Sequence, residues 1–239
     1  VSDPYRDDEI MFAVPTRGLV DWNLVNRMLE LQERHPAVTY WTQAGRLSVS
    51  DCRHRIVTRF LATDRRLLIM CDDDVIPRLA LFDRMRESPY PITGATYLIV
   101  RHEFTLPFPA VFRLDVAHHR YAPLDHVFGR AGRVPCDAVG TGCIAIRREV
   151  LETLRKTDEA PFAMHWDADG VMRTSDDLAF CGRARAAGFA IAADYDLHAD
   201  HVIQGLSMNL LQTQYGEAYA KARELEQRQT RLVVPGGVT

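Results

Sequence analysis

Missing from this chain is any apolar run near the roughly 18 residues that a membrane helix needs, so no integral membrane segment is expected. A basic excess is missing too. Lys and Arg number 29 against 32 Asp and Glu, a net charge of −3, which argues against a protein that coats a phosphate backbone and leaves only a local patch open. The five cysteines, at 52, 71, 136, 143 and 181, include no pair with the two-residue gap of a zinc knuckle or redox motif. Cys71 and Cys143 lie in apolar runs, so reduced core thiols are expected. Internal repeats and low-complexity segments are lacking. The start, VSDPYRDDEI, is acidic and polar where a secretory leader is basic and then apolar. The expectation is a cytoplasmic protein. Within 239 residues, 47% hydrophobic and 26% charged, there is material for one large domain or two small ones.

What is present alternates. IMFAV (10–14) is an apolar run stopped by Pro15 and followed by TRG, a buried strand feeding a loop. LVDWNLVNRMLELQERH then sets Leu19, Trp22, Val25, Met28, Leu29 and Gln32 at helical spacing, ending near His35-Pro36. AVTYWTQ is rich in β-formers. SDCRHRIVTRFLAT opens on Ser50 and Asp51, an N-cap pattern, and carries Ile56, Val57, Phe60 and Leu61 on one face. RRLLIMC is a continuous apolar run, as in a strand buried on both faces. Strand, helix, strand, helix, strand at this spacing predicts a parallel α/β sheet. Ligands of such sheets bind beyond the carboxyl ends of the strands. Pro15-Thr16-Arg17 and Asp72-Asp73-Asp74 both occupy such ends and are expected to be neighbours.

The second half differs. Residues 91–145 are rich in Pro, aromatics and β-formers. GTGCIAIRREVLETL (140–154) passes from a glycine turn through a strand into a helix. SDDLAFCGRARAAGF (175–189) reads as a helix capped by Ser175 and stopped by Gly188, with Asp176 and Asp177 in its first turn. A closing helix is expected at 208–228. The reading is one domain over 9–228, with one half at about 9–97 and a second half at about 98–205.

Three adjacent carboxylates after a buried strand repel one another, and burial raises the cost, so a positive partner is expected. Along an extended chain Asp72 and Asp74 face the same way. Oxygen ligands suit Mg²⁺ or Mn²⁺. The plain alternative is a solvated turn whose acids precede a helix starting at Pro77.

An apolar strand ending in Asp-x-Asp and then Val-x-Pro resembles the nucleotide-sugar site of GT-A fold glycosyltransferases, family-two-like. VPTRG (14–18), CRHRIVTRFLAT (52–63), GTGCIAIRREVL (140–151), SDDLAFCGRARAAGF and ADYDLHADHVIQG (193–205) resemble further segments of that family in the same order. His54 stands where an Asn is common, and Asp176 replaces the usual Glu. The resemblance implies a Rossmann-like, mostly parallel sheet flanked by helices, with a smaller acceptor-side sheet. It implies a metal-dependent transferase moving a sugar from a UDP- or GDP-sugar to a hydroxyl acceptor, on a glycan, lipid, protein or modified nucleobase. Mn²⁺ or Mg²⁺ would be held by Asp72, Asp74 and His201, with His198 the competing histidine. The donor would contact Pro15, Thr16, Arg17, Asp72, Asp73, Gly140, Thr141 and Gly142. Asp177 would be the catalytic base of an inverting reaction, with Asp176 beside it orienting the acceptor.

Two other classes fit parts of the pattern. A haloacid-dehalogenase-type phosphatase also ends a strand in Asp-x-Asp, but it wants Thr or Val where Ile76 stands and keeps that strand near the chain start. A non-catalytic nucleotide-sugar-binding module would not need Asp177.

Overall fold

The structure, a computed structural model, describes residues 5–45, 48–99, 108–118, 120–124, 130–156, 160–166, 168–169 and 172–202. The expected closing helix at 208–228 lies outside the described residues.

The chain opens with strand β1 (Ile10–Thr16), helix α1 (Trp22–Arg34), β2 (Thr39–Ala44), α2 (Val49–Leu61) and β3 (Leu67–Cys71). This is the predicted alternation. Every residue of β1 and β3 is buried, as apolar runs without alternation require. Asp21 caps α1 by accepting the Asn23 amide at 2.8 Å. That cap starts the helix at Trp22, later than its apolar spacing suggested. The buried positions are then Leu24 and Leu31, with Met28 packed partly against the core between them. Leu19, Trp22 and Leu29, expected on the inner face, are exposed. Two apolar stripes overlap in this helix, and the one through Leu24, Met28 and Leu31 meets the core. Similarly, α2 is capped by Ser48, which accepts the Asp51 amide at 3.1 Å. Ser50, the expected cap, instead donates to the Phe162 carbonyl at 2.6 Å.

After β3 come β4 (Val75–Pro77), α3 (Leu81–Arg86), β5 (Ile92–Thr96), β6 (Leu98–Ile99), β7 (Phe108–Pro109), β8 (Val111–Asp115), β9 (Arg120–Pro123), β10 (Arg133–Cys136) and β11 (Ala138–Val139). The described chain finishes with β12 (Cys143–Arg147), α4 (Arg148–Leu154), β13 (His165–Trp166), β14 (Met172–Thr174), α5 (Asp176–Ala186) and β15 (Ile191–His201). No helix starts at Pro77. Residues 75–77 are drawn into a strand by pairing with β15.

The main sheet runs β10-β15-β5-β12-β3-β1-β2, with β4 on β15. Strands β2, β1, β3, β5 and β15 are parallel, whereas β12 and β10 run against them. A smaller antiparallel sheet, β11-β8-β9, stands beside it. The main sheet is therefore mostly parallel, as expected. Its order turns back at β1, with β2 on one side and β3 on the other. That switch point opens a crevice at the carboxyl ends of β1 and β3.

Candidate active site at the strand ends

A cavity of about 530 Å³ occupies that crevice, with Arg17, Leu19, Asp21, Asp73, Asp74 and Val202 in its wall. The loop after β1 and the aspartates after β3 therefore do meet. The Asp21 amide donates to the Asp73 carbonyl at 2.9 Å. Thr16 builds the turn itself: its hydroxyl donates to the Leu19 carbonyl at 2.9 Å and accepts the Gly18 amide at 3.0 Å. Gly18 has φ +125°, a value that side chains resist. Pro15 and Thr16 are buried and serve as framework, while exposed Arg17 faces the cavity.

The three aspartates part company. Asp72 points to Arg53 of α2, whose Nη2 lies 2.6 and 2.8 Å from its two carboxylate oxygens. The Nη1 of the same guanidinium donates to Asp176 at the start of α5. Arg53 is 4% exposed, and its Nε has no protein partner. Asp73 turns to the cavity. Asp74 faces His201, with Oδ2 3.3 Å from Nε2.

Strand β15 explains the placement of His201. It pairs with β5 up to Asp194, slips at an irregularity, and resumes with His198 opposite Thr96. It then pairs antiparallel with β4, setting His201 opposite Val75. The Val202 amide donates to the Asp74 carbonyl at 2.8 Å. His198 is turned elsewhere, its Nδ1 2.8 Å from the Thr96 hydroxyl. His201 Nδ1 lies 3.1 Å from the Leu98 carbonyl. A carbonyl only accepts, so Nδ1 carries the proton and a neutral ring presents its Nε2 lone pair to Asp74. Two acceptors face each other, and a proton or a cation belongs between them. Burial works against a charged imidazole there, yet the hydrogen bond and charge of Asp74 raise its pKa.

The glycine turn closes the other side. The Asp72 amide donates to the Gly142 carbonyl at 2.8 Å, and the Gly142 amide donates to the Tyr97 hydroxyl at 3.0 Å. A Cβ on Gly142 would stand 2.6 Å from Tyr97 Cζ, and one on Gly140 would collide with the same hydroxyl. The absent side chains make room for Tyr97. Its ring also meets His201 edge to face, with centroids 5.6 Å apart. Thr141 is buried in the turn. Asp177 accepts from the Ser175 hydroxyl and from the Leu178 amide, the latter at 2.8 Å. Ser175 is the N-cap residue of α5 as expected, but its hydroxyl serves Asp177 rather than the helix backbone.

Negative charge is in excess. Burial, with help from the charges of Asp74 and Asp176, pushes the Asp72 carboxyl up to about 6 against the pull of Arg53. Burial opposes the charge on Arg53, while Asp72 and Asp176, with Asp177 beyond them, hold its proton more tightly. Burial raises the Tyr97 hydroxyl pKa, and the charges of Asp72 and Asp177 add to it. One guanidinium thus stands among four carboxylates. Among the described residues no group of three or more His, Cys, Asp or Glu side chains forms a ready metal cage. Both carboxylate oxygens of Asp72 are engaged by Arg53. The pair that remains, Asp74 and His201, has the oxygen and imidazole donors that suit Mn²⁺.

Arg53 and Tyr97 are the two site residues that sequence reasoning missed. A signal for Arg53 existed. Residues 53, 56, 57 and 60 form one helical stripe, so this arginine sits on the apolar face of α2.

The described chain is a mostly parallel sheet flanked by helices, with small antiparallel sheets beside it. No protein-family model matches the chain, and no curated protein matches it in sequence. Among solved structures the fold is similar to that of A197 from STIV, with a TM-score of 0.54 and 19% identity over 80% of this chain and 84% of that one. Smaller likenesses, of fold alone, run to two transferases. One is a mutant Drosophila β-1,4-galactosyltransferase 7 in complex with manganese, UDP-Gal and xylobiose (TM-score 0.42, 16% identity, 81% of this chain and 70% of that one). The other is GalNAc-T7 with UDP, GalNAc and Mn²⁺ (0.47, 10%, 81% and 37%). Among the described residues no helix is long and apolar enough to cross a membrane.

Proposed function

We propose that the chain is a metal-dependent glycosyltransferase that moves a sugar from a nucleoside-diphosphate sugar to a hydroxyl acceptor. The observation that carries this reading is that Asp74, in the wall of the switch-point cavity, faces the Nε2 of His201, so that two acceptors meet there. Asp74 and His201 would hold Mn²⁺, or Mg²⁺, with the diphosphate completing the shell. The cation, when bound, supplies Lewis-acid stabilisation of the charge that builds on the leaving diphosphate. Arg17, exposed at the cavity wall, is placed to take a phosphate oxygen. Asp73 offers a carboxylate to the ribose hydroxyls.

On the acceptor side Asp177 is the proposed base. It sits in the first turn of α5. An ionised carboxylate there removes the acceptor proton as the hydroxyl attacks in line, which is an inverting displacement.

The test is thermal unfolding with UDP, GDP and CDP and their sugars, each with Mn²⁺. Selective binding to the folded state raises Tm by mass action. A rise with one nucleotide family, abolished by a chelator, is expected. No rise with any of them at millimolar concentration sinks the reading.

A further inference from the structure

Arg53 joins two carboxylates from opposite sides of the site. Asp72 belongs to the turn that carries Asp73 and Asp74, which line the cavity. Asp176 belongs to the first turn of α5, next to Asp177. The fork on Asp72 is made by Nη2 and the bond to Asp176 by Nη1, so one rigid planar group fixes both. Arg side chains hold such geometry where Lys cannot, because the guanidinium presents several donors in one plane. The residue is buried within α2, between Cys52 and the core positions Ile56 and Val57, and has little room to shift alone. Asp176 is not in the cavity wall. The hydrogen-bonded route from Asp176 to the turn that lines the cavity runs through Arg53 and Asp72.

We infer that Arg53 is a positioning residue that couples the nucleotide side of the site to the acceptor side, so that a change at Asp176 alters nucleotide affinity. This rests on the proposed donor reading. It goes beyond it by assigning Asp72 to Arg53 rather than to the metal, and by making the two half-sites one unit. Coupling of this kind is reciprocal: whatever α5 does to nucleotide affinity, the nucleotide does to α5.

Two measurements decide it. The first needs no ligand. NMR of ¹⁵N-arginine-labelled protein reads the Arg53 guanidinium signals, identified by their loss in Arg53→Lys. Asp176→Asn and Asp72→Asn are each expected to shift them; unchanged signals in Asp176→Asn overturn the bridge. The second is calorimetric titration of UDP with Mn²⁺ into wild type, Asp176→Asn and Arg53→Lys. Coupling typically amounts to about fivefold or more in affinity, and both variants are expected to lose at least that. A lowered Tm in Asp176→Asn with wild-type UDP affinity makes the bridge merely structural and overturns the inference. Failure of wild type to bind UDP, GDP or CDP counts against the donor reading instead, and the ligand-free NMR measurement then decides the bridge by itself.

Discussion

His201 Nε2 and Asp74 Oδ2 face each other at 3.3 Å, while His201 Nδ1 is occupied by the Leu98 carbonyl. A hydrogen bond on the far nitrogen fixes the tautomer of a metal-binding imidazole. Asp74→Asn replaces the carboxylate with an amide that can donate to Nε2. It is expected to abolish Mn²⁺-dependent nucleotide binding while leaving Tm near wild type. Calorimetry with metal present checks it, and wild-type affinity would remove Asp74 from the site.

The two histidines of β15 are expected to separate cleanly. His201→Ala should weaken Mn²⁺ binding by tenfold or more, since imidazole is a good partner for that ion. Exchange of His198 should spare the metal and cost stability instead, about 1 kcal/mol for the lost bond to Thr96. Burial lowers the His198 pKa from 6.5. The unfolded chain therefore takes up this proton first as the pH falls. The stabilisation it gives is full above pH 6.5 and declines below it. The stability gap between wild type and His198→Ala, measured by urea unfolding, should shrink between pH 6.5 and 5. A larger metal defect in His198→Ala than in His201→Ala would reverse the assignment.

Asp177→Asn keeps the shape of the side chain but cannot take a proton. Loss of a general base costs about 10²- to 10⁴-fold in rate. Nucleotide affinity should stay within a few-fold of wild type while sugar transfer falls by that order. A non-catalytic binding module predicts no transfer by either protein, so the wild-type assay separates the two classes.

Arg53→Met removes the buried cation and leaves Asp72 and Asp176, both partly exposed, without it. Breaking a fully buried pair from one side costs about 3–5 kcal/mol, and solvent at the two carboxylates brings the loss to the lower end of that range. Urea unfolding is expected to show a loss of that size, and a triple change to Arg53→Met with Asp72→Asn and Asp176→Asn should recover a large part of it. Equal destabilisation of the single and triple variants would place the cost in packing, not charge.

Gly142→Ala is expected to cost about 1–3 kcal/mol through overpacking, because the new methyl would press on the Tyr97 ring 2.6 Å away. Thermal unfolding of Gly142→Ala alone and with Tyr97→Leu measures it. Relief by the smaller side chain is the expected signature.

Much of the frame was legible because it depends on local periodicity. The apolar runs at 10–14 and 67–71 became β1 and β3, and strand-end logic brought Arg17 to Asp73 and Asp74. Gly188 ends α5 with φ +88°, as a glycine after a helical run suggests. Long-range partners were not legible. Arg53 lies in CRHR, a stretch that looks solvated until burial against β1 is known. Tyr97 gives no local hint that two glycines more than forty residues away must make room for its ring. The α1 face was misread because Leu19, Trp22 and Leu29 also repeat at helical spacing, and only packing against the core separates them from Leu24, Met28 and Leu31. The pairing of β4 with β15 joins residues more than 120 positions apart, beyond the reach of any window.

Strand β15 spends three residues, 195–197, between its pairings opposite Ala95 and Thr96, and this makes its length a gauge. Side chains alternate along a strand, so a one-residue slip exchanges one face for the other. With one residue deleted from that span, Val202 would arrive opposite Val75 and present an aliphatic group to Asp74. With one added, Asp200 would arrive there and set carboxylate against carboxylate. The count of residues in the span cannot change without silencing the pair, even though none of its side chains touches the cavity wall.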